Sequence, residues 1–322
     1  MAQQVDAVEQ PVLVVKSGGE AAFAEWQACF AVHSPGLTLR HWDDPELRLE
    51  AVTYAVLWDP TPGRLAQMPN LRLVFGSGAG VDNVVADPDY PRHIPLVRTS
   101  IPEATDRMGE YCCWAALSLL KDARRMAIAQ GERRWDYFEP PFRACERTVG
   151  IMGLGNMGER SAIMLQGLGF PTIGWSRTRK AVPGVESHAG AAELDAFLAR
   201  TDILICLLPA TAETHNIIGA ANLAKLPRGA GYIGAGRGMQ QDLDAILAAL
   251  DSGQLSGAVL DVFEPEPLPA EHPLWAHPKA IVTAHVASLP SRMERVAFIA
   301  ATIAGFERGA PLPNLFDHAR GY

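Results

Sequence analysis

The chain has 322 residues, too many for one ordinary core and enough for two domains. Hydrophobic residues make up 48% and charged residues 20%, the balance of a globular protein, and no apolar run approaches the roughly 18–20 residues of a membrane span. The net charge of −8, with no basic run, excludes a nucleic-acid binder, whose affinity rests on phosphate contacts.

The first ten residues carry Asp6 and Glu9 and no basic residue. They do not read as a signal peptide, so a cytoplasmic protein is expected. Strand-like apolar runs follow at 12–15, 51–57, 71–75 and 96–97, then at 148–152, 172–175, 202–208, 231–235, 258–262 and 281–286. They alternate with helix-like segments, a pattern that implies parallel sheets covered on both faces. Ser100-Ile101-Pro102-Glu103 precedes a helical pattern over 104–129, in which Met108, Tyr111, Cys112, Ala115 and Leu119 share one face. Residues 135–147, rich in aromatics, proline and charge, read as a loop suited to covering a partner subunit. After His285, Ser288-Leu289-Pro290-Ser291 opens a serine-capped helix over 292–307, expected to return to the first domain. The expected domains are therefore 1–103 with 288–322, and 104–287. Five cysteines (Cys29, Cys112, Cys113, Cys145, Cys206) show no C-x-x-C spacing and read as reduced, mostly buried thiols. No metal is expected.

The strand at 148–152 runs into Gly153-Leu154-Gly155-Asn156-Met157-Gly158, a G-x-G-x-x-G turn. A helix over 159–168 follows, with Ala162, Ile163, Leu165 and Leu168 expected to face inward. In such a turn the first glycine permits the bend, the second admits a pyrophosphate and the third lets the helix pack against the strand. The helix N-terminus supplies N–H groups and partial positive charge for phosphates. The next strand ends in Trp175-Ser176-Arg177-Thr178-Arg179-Lys180, without the acidic residue that would bond an NAD ribose. Two arginines, a lysine and a hydroxyl suit a 2′-phosphate instead, so NADPH is the expected cofactor. The fold class is α/β: two Rossmann/flavodoxin-like, doubly wound parallel-sheet domains, with the nucleotide-binding domain inserted into the substrate domain.

Three segments at strand ends carry candidate chemistry: Gly234-Ala235-Gly236-Arg237-Gly238, Asp261 to Glu266, and Thr283-Ala284-His285. Ligands of open α/β sheets sit beyond the carboxyl ends of the strands, where Arg237, Glu266 and His285 can converge. A protonated histidine can give its proton to a developing alkoxide, a neighbouring carboxylate favours that protonated form, and an arginine can hold or polarise a 2-keto acid. Singly, each has a plainer explanation: a structural histidine, an arginine at a helix end, a glutamate in a proline-rich turn. In the first domain, Gly76-Ser77-Gly78-Ala79-Gly80-Val81-Asp82 is a glycine-rich turn whose N–H groups suit a carboxylate.

Together these motifs, with Leu207-Leu208-Pro209, the Ala248 to Gly253 helix end and the terminal Ala319-Arg320-Gly321-Tyr322, resemble the D-isomer-specific 2-hydroxyacid dehydrogenase family, and within it the glyoxylate/hydroxypyruvate reductase group. The resemblance spans nearly the whole chain. It implies catalytic Arg237, Glu266 and His285, with His285 as acid/base and Glu266 as its partner. It implies a dinucleotide contacted by residues 153–158 and 175–180 and by Leu208, Pro209, Ala235, Gly236 and Asp261. It also implies a small 2-keto acid held by Gly78, Ala79 and Gly80 and lined by Trp58, and a homodimer built by the nucleotide domains, with Trp135 reaching toward the partner. The sequence departs from the family at Gly234 (usually asparagine), Gly236 (usually alanine) and Ala284 (usually proline); the two glycines are expected to loosen the Arg237 loop. Two other readings remain open: a cofactor-sensing, corepressor-like binding protein of the same fold, and a dehydrogenase for a bulkier 2-keto acid.

Overall fold

The computed structural model describes residues 10–318 and 321. Asp6 and Glu9 at the start, and Ala319, Arg320 and Tyr322 of the terminal motif, lie outside the described residues. The chain forms two compact units, one comprising the chain up to Glu103 with the segment from Pro290 onward, the other running from Ala104 to Leu289.

In the first unit, β1 (Val12–Lys16), α1 (Gly19–His33), β2 (Thr38–His41), β3 (Val52–Leu57), β4 (Leu73–Gly76), α2 (Asp82–Val85) and β5 (Leu96–Arg98) follow in order. The strands form a parallel sheet in the order β2-β1-β3-β4-β5. Strand side chains alternate between faces. Leu13 and Val15 therefore pack with Trp26 and Phe30 of α1, while Val14 packs on the other face with Trp42 and Leu57. Both faces are buried, and each fully buried aliphatic side chain contributes about 1.5–3 kcal/mol.

The second unit begins in α3 (Pro102–Leu120) and α4 (Ala123–Gly131). Then come β6 (Val149–Met152), α5 (Asn156–Gly167), β7 (Thr172–Ser176), β8 (Glu186–Ala189), α6 (Gly190–Leu198), β9 (Ile203–Cys206), α7 (Ala220–Leu223), β10 (Ala230–Gly234), α8 (Leu243–Ser252), β11 (Leu255–Leu260) and β12 (Ala280–Val282). Seven parallel strands lie in the order β12-β11-β10-β9-β6-β7-β8. Chain progression reverses between β6 and β9, the switch point at which such sheets bind ligands. Val149 and Ile151 face the side covered by α3 and α5, and Leu204, Cys206 and Tyr232 face the other. Asp242 caps α8 by accepting the Ala245 N–H at 3.0 Å, and Gly253 ends it at φ 73°. Finally α9 (Arg292–Glu307) belongs to the first unit, where Val296, Ile299 and Ile303 join the α1 face; its Ser291 cap accepts the Glu294 N–H at 3.3 Å.

The structure departs from the sequence reading in four places. The helical pattern over 104–129 is two helices, broken at Asp122, whose φ is 51°. Aspartate is among the few residues that tolerate this left-handed conformation, and the apolar pattern carries on across the break. Two edge strands, β2 and β8, were not anticipated, because their sequences, Thr-Leu-Arg-His and Glu-Ser-His-Ala, are polar or only half-buried. On α5, Ala162 and Leu165 are buried as expected, but Ile163 and Leu168 are exposed. The runs at 202–208 and 281–286 stop pairing at Cys206 and Val282, which leaves Leu208, Pro209 and His285 in loops beyond the strand ends.

Candidate active site

The turn after β6 is tied to both neighbouring strands: Gly153 N–H donates to Trp175 O and Leu207 N–H to Met152 O, each at 2.8 Å. Gly153 has φ 100°, and a Cβ there would lie 2.7 Å from Leu207 O. A Cβ on Gly158 would strike the carbonyl of Gly153, so only glycine lets α5 begin this close to the strand. At Gly155 the opposite holds, since a Cβ would meet nothing within 4 Å. The turn thus leaves open space at the N-terminus of a 12-residue helix, over Gly155, Asn156 and Met157. These residues fit the diphosphate of a dinucleotide.

Beyond β7, Trp175 and Ser176 are buried, Trp175 Nε1 donating to Gly190 O and Ser176 Oγ to Thr178 O. Arg177, Thr178, Arg179 and Lys180 are exposed. Arg179 is anchored, its guanidinium donating to Ser187 O and pairing with Glu193 at 2.5 Å. The Ala189 N–H and Arg179 together hold the Glu193 carboxyl below its usual range. Arg177 and Lys180 flank this anchored arginine on the same loop.

Arg237, Glu266 and His285 all belong to the second unit and meet beyond β10, β11 and β12. His285 Nδ1 lies 2.9 Å from Glu266 Oε2, and Glu266 Oε1 accepts the Phe263 N–H at 2.8 Å. An ionised carboxylate can only accept, so Nδ1 carries the proton of this bond and Nε2 is the atom left to exchange one. Burial would raise the Glu266 carboxyl, but the hydrogen bonds from His285 and Phe263 and the charges of His285 and Arg237 outweigh it and hold the group below its ordinary value. The Arg237 guanidinium is therefore near enough to act on Glu266 through its charge. The peptide bonds preceding Pro265 and Pro267 are cis.

Asp261, an expected cofactor contact, has its carboxylate hydrogen-bonded within the histidine loop. The side chain is 1% exposed; it accepts the Val286 and Ala287 N–H groups at 2.9 Å and the Thr283 hydroxyl at 2.5 Å. Its carbonyl accepts the His285 N–H at 2.8 Å. The Tyr111 hydroxyl joins Thr283 Oγ1 at 2.8 Å, and burial pushes that phenol up. This network pins a loop in which His285 itself has φ 53°. It also fixes the residues around Ala284, where no proline stiffens the backbone.

The space that the two extra glycines leave beside the Arg237 loop is filled by neighbouring side chains. A Cβ on Gly234 would strike Gln241 Oε1, and one on Gly236 would strike Gln240 Oε1. Both glutamines are buried, and their carboxamides fill the space. Gln241 accepts the Tyr232 hydroxyl at 2.8 Å and donates to Val262 O at 2.5 Å. Gln240 contacts Arg237, Leu208 and Pro209. Sequence reasoning missed Gln240, Gln241 and the role of Tyr111; for the glutamines the paired small residues at 234 and 236 were the available signal, since a missing side chain invites a neighbour's.

In the first unit, Trp58 and Gly78 come together, a Cβ on Gly78 lying 3.3 Å from the indole. Trp58 also lines a crevice of about 670 Å³ with Lys16, Arg40 and His41. The Gly78–Gly80 turn is tied down by the Thr99 N–H, which donates to Gly78 O at 3.0 Å. Arg295, unanticipated, is buried with its guanidinium 5.1 Å over Trp26 and donates to Ser77 O at 3.4 Å; burial, aided by the charge of Arg292, pulls it down to about 10.

A glycine turn at the switch point of a parallel sheet, with an arginine and a carboxylate–histidine pair along the same edge, defines a dinucleotide-dependent oxidoreductase. Residues 113–287 match the family model of the D-isomer specific 2-hydroxyacid dehydrogenase, NAD binding domain. A glyoxylate/hydroxypyruvate reductase A of Klebsiella pneumoniae subsp. pneumoniae is 43% identical over 296 residues, 89% of this chain and 93% of the relative. A D-isomer specific 2-hydroxyacid dehydrogenase from Xanthobacter autotrophicus Py2, solved with NADPH and MES, is 39% identical with a TM-score of 0.89, covering 97% of this chain and 100% of that one. An NADPH-dependent glyoxylate/hydroxypyruvate reductase from Sinorhizobium meliloti, solved with NADP and sulfate, is 40% identical at the same TM-score of 0.89 and covers 97% and 100%. The chain belongs to the D-isomer specific 2-hydroxyacid dehydrogenase family.

Proposed function

We propose that this protein reduces small 2-keto acids, glyoxylate and hydroxypyruvate, to their 2-hydroxy acids with NADPH. The observation that carries this reading is the 2.9 Å bond between His285 Nδ1 and Glu266, on the same sheet edge as the glycine turn. NADPH supplies the hydride that reaches the keto carbon. Residues Gly153 to Gly158 and the start of α5 hold its diphosphate. Arg177 and Lys180 take its 2′-phosphate, with Arg179 shaping the loop, while Leu208, Pro209, Ala235 and Gly236 line its nicotinamide side. His285 gives the Nε2 proton to the oxygen that becomes the hydroxyl, and Glu266 stabilises the imidazolium beforehand. Arg237 holds the carboxylate or carbonyl of the keto acid by charge-assisted hydrogen bonds. In the first unit the N–H groups at Gly78, Ala79 and Gly80, beside Trp58, suit a carboxylate, and Asp261 is assigned to positioning the histidine loop.

We also propose a cytoplasmic homodimer. Among the described residues no helix is long and apolar enough to cross a membrane, and the five cysteines are free, as suits a reducing compartment. Trp135 is 95% exposed and Tyr137 78%, an apolar display that a partner would cover.

The test is a panel of 2-keto acids assayed with NADPH and NADH side by side. Turnover of glyoxylate and hydroxypyruvate, with NADPH preferred, supports the reading. Tight NADPH binding with no oxidation by any keto acid would overturn it in favour of a cofactor sensor.

A further inference from the structure

Gln240 is 1% exposed, and its carboxamide is fully engaged. Oε1 accepts the backbone N–H of Arg237 at 2.9 Å. Nε2 donates to Leu208 O at 2.6 Å and Pro209 O at 3.0 Å. The Cys206 thiol points at Oε1 from 3.5 Å. One side chain therefore joins the loop beyond β9 to the backbone of the arginine beyond β10. Gly236 completes the arrangement. A Cβ there would strike Oε1, and it would lie 3.2 Å from Leu208 O and 3.3 Å from Cys206 O. The amide reaches Arg237 only because residue 236 has no side chain.

A buried carboxamide with a partner missing is unfavourable, so its geometry is set by its three backbone contacts. Those contacts hold Arg237 from the main chain, and its guanidinium donates to Gly236 O at 2.9 Å, so backbone and side chain are both set by this loop. We infer that Gln240 is a positioning residue for the reaction, and that Gly236 and Gln240 act as one unit holding Arg237 against the Leu208–Pro209 loop. This inference rests on the assignment of Arg237 to the keto acid. A misplacement of about 1 Å in a substrate-holding group costs up to about 10²-fold in rate.

The experiment compares Gln240→Met, Gly236→Ala and Arg237→Lys, singly and as Gln240→Met with Arg237→Lys, by glyoxylate reduction with NADPH and by thermal melting. Gln240→Met and Gly236→Ala should each lower kcat/KM for glyoxylate by about 10–100-fold. In the Arg237→Lys background, Gln240→Met should cost less than about threefold, because the side chain it aims is already gone. The inference is overturned if both single variants keep kcat/KM within about twofold of the parent, or if the full loss persists in the Arg237→Lys background, as a merely structural role requires. Should Gln240→Met not fold, Gly236→Ala carries the test. If neither folds, the amide serves the core and the inference falls. Failure of the underlying assignment looks different: Arg237→Lys itself would keep the parent kcat/KM.

Discussion

The turn after β6 and the loop after β10 are both glycine-rich, lie on one edge of one sheet, and use their glycines in opposite ways. At Gly155 the missing side chain leaves open space, and at Gly234 and Gly236 it leaves room for the carboxamides of Gln241 and Gln240. The first turn is shaped for a ligand to lie against backbone. The second is filled by the protein so that a charged side chain stands at a fixed place. A glycine count alone does not separate the two; what a Cβ would meet does.

Several substitutions break or sharpen this contrast. The largest effect is expected on the filled side. His285→Ala should lower kcat by about 10²–10⁴-fold while NADPH affinity, measured by fluorescence titration, stays near the parent value. A comparable loss of cofactor affinity would erase the division between a binding turn and a reacting edge. On the ligand side, Gly158→Ala should lower the thermal midpoint, because its methyl overpacks the Gly153 carbonyl at a cost of about 1–3 kcal/mol or more. Gly155→Ala should instead melt like the parent and weaken NADPH by about tenfold, or about 1.4 kcal/mol. Equal melting of the two variants would show that the turn is not divided into a packed and an open glycine.

Glu266→Gln comes next, with kcat reduced by about 10–100-fold through a misaimed imidazole. Its stability effect depends on pH with a definite sign. The folded carboxyl is held below its ordinary value of 4.5, so it adds stability above that value and loses it as pH falls through the folded value. The difference in thermal midpoint between the parent and Glu266→Gln should therefore be full at pH 7, shrink below 4.5 and vanish only once pH is below the folded value. A difference that grew in acid would contradict the hydrogen-bonded carboxylate. The smallest effects belong to the basic loop. Arg177→Ala or Lys180→Ala should raise the KM for NADPH about tenfold with little change for NADH. Arg179→Ala, already paired with Glu193, should change it about threefold or less.

Where the sequence was legible, the reason was periodicity or chemistry confined to a short stretch. Gly153 to Gly158 sits between an apolar run and an amphipathic helix, and each glycine has a local cause. Arg237, Glu266 and His285 follow strand-like runs, so their common edge could be anticipated before their contacts were known. The edge strands β2 and β8 were not legible, because a strand with one neighbour need not be apolar. The break at Asp122 hid for a related reason: neither glycine nor proline marks it, and the apolar face continues beyond it. Gln240 and Gln241 were hard to pick out because a glutamine in isolation reads as surface. The small residues at 234 and 236 signal an inserted neighbour, and three-dimensional contacts show which residues fill the voids.

His285 holds a backbone shape that a non-glycine residue adopts at a cost of about 1–2 kcal/mol, φ 53°. The network around Asp261 keeps it there, so the surrounding structure maintains a conformation this residue would abandon in a free peptide. A chain selected for melting temperature alone would have no reason to keep an imidazole at that position. Under the role proposed for His285, the residue is a local conflict between durability and turnover, settled in favour of the reaction.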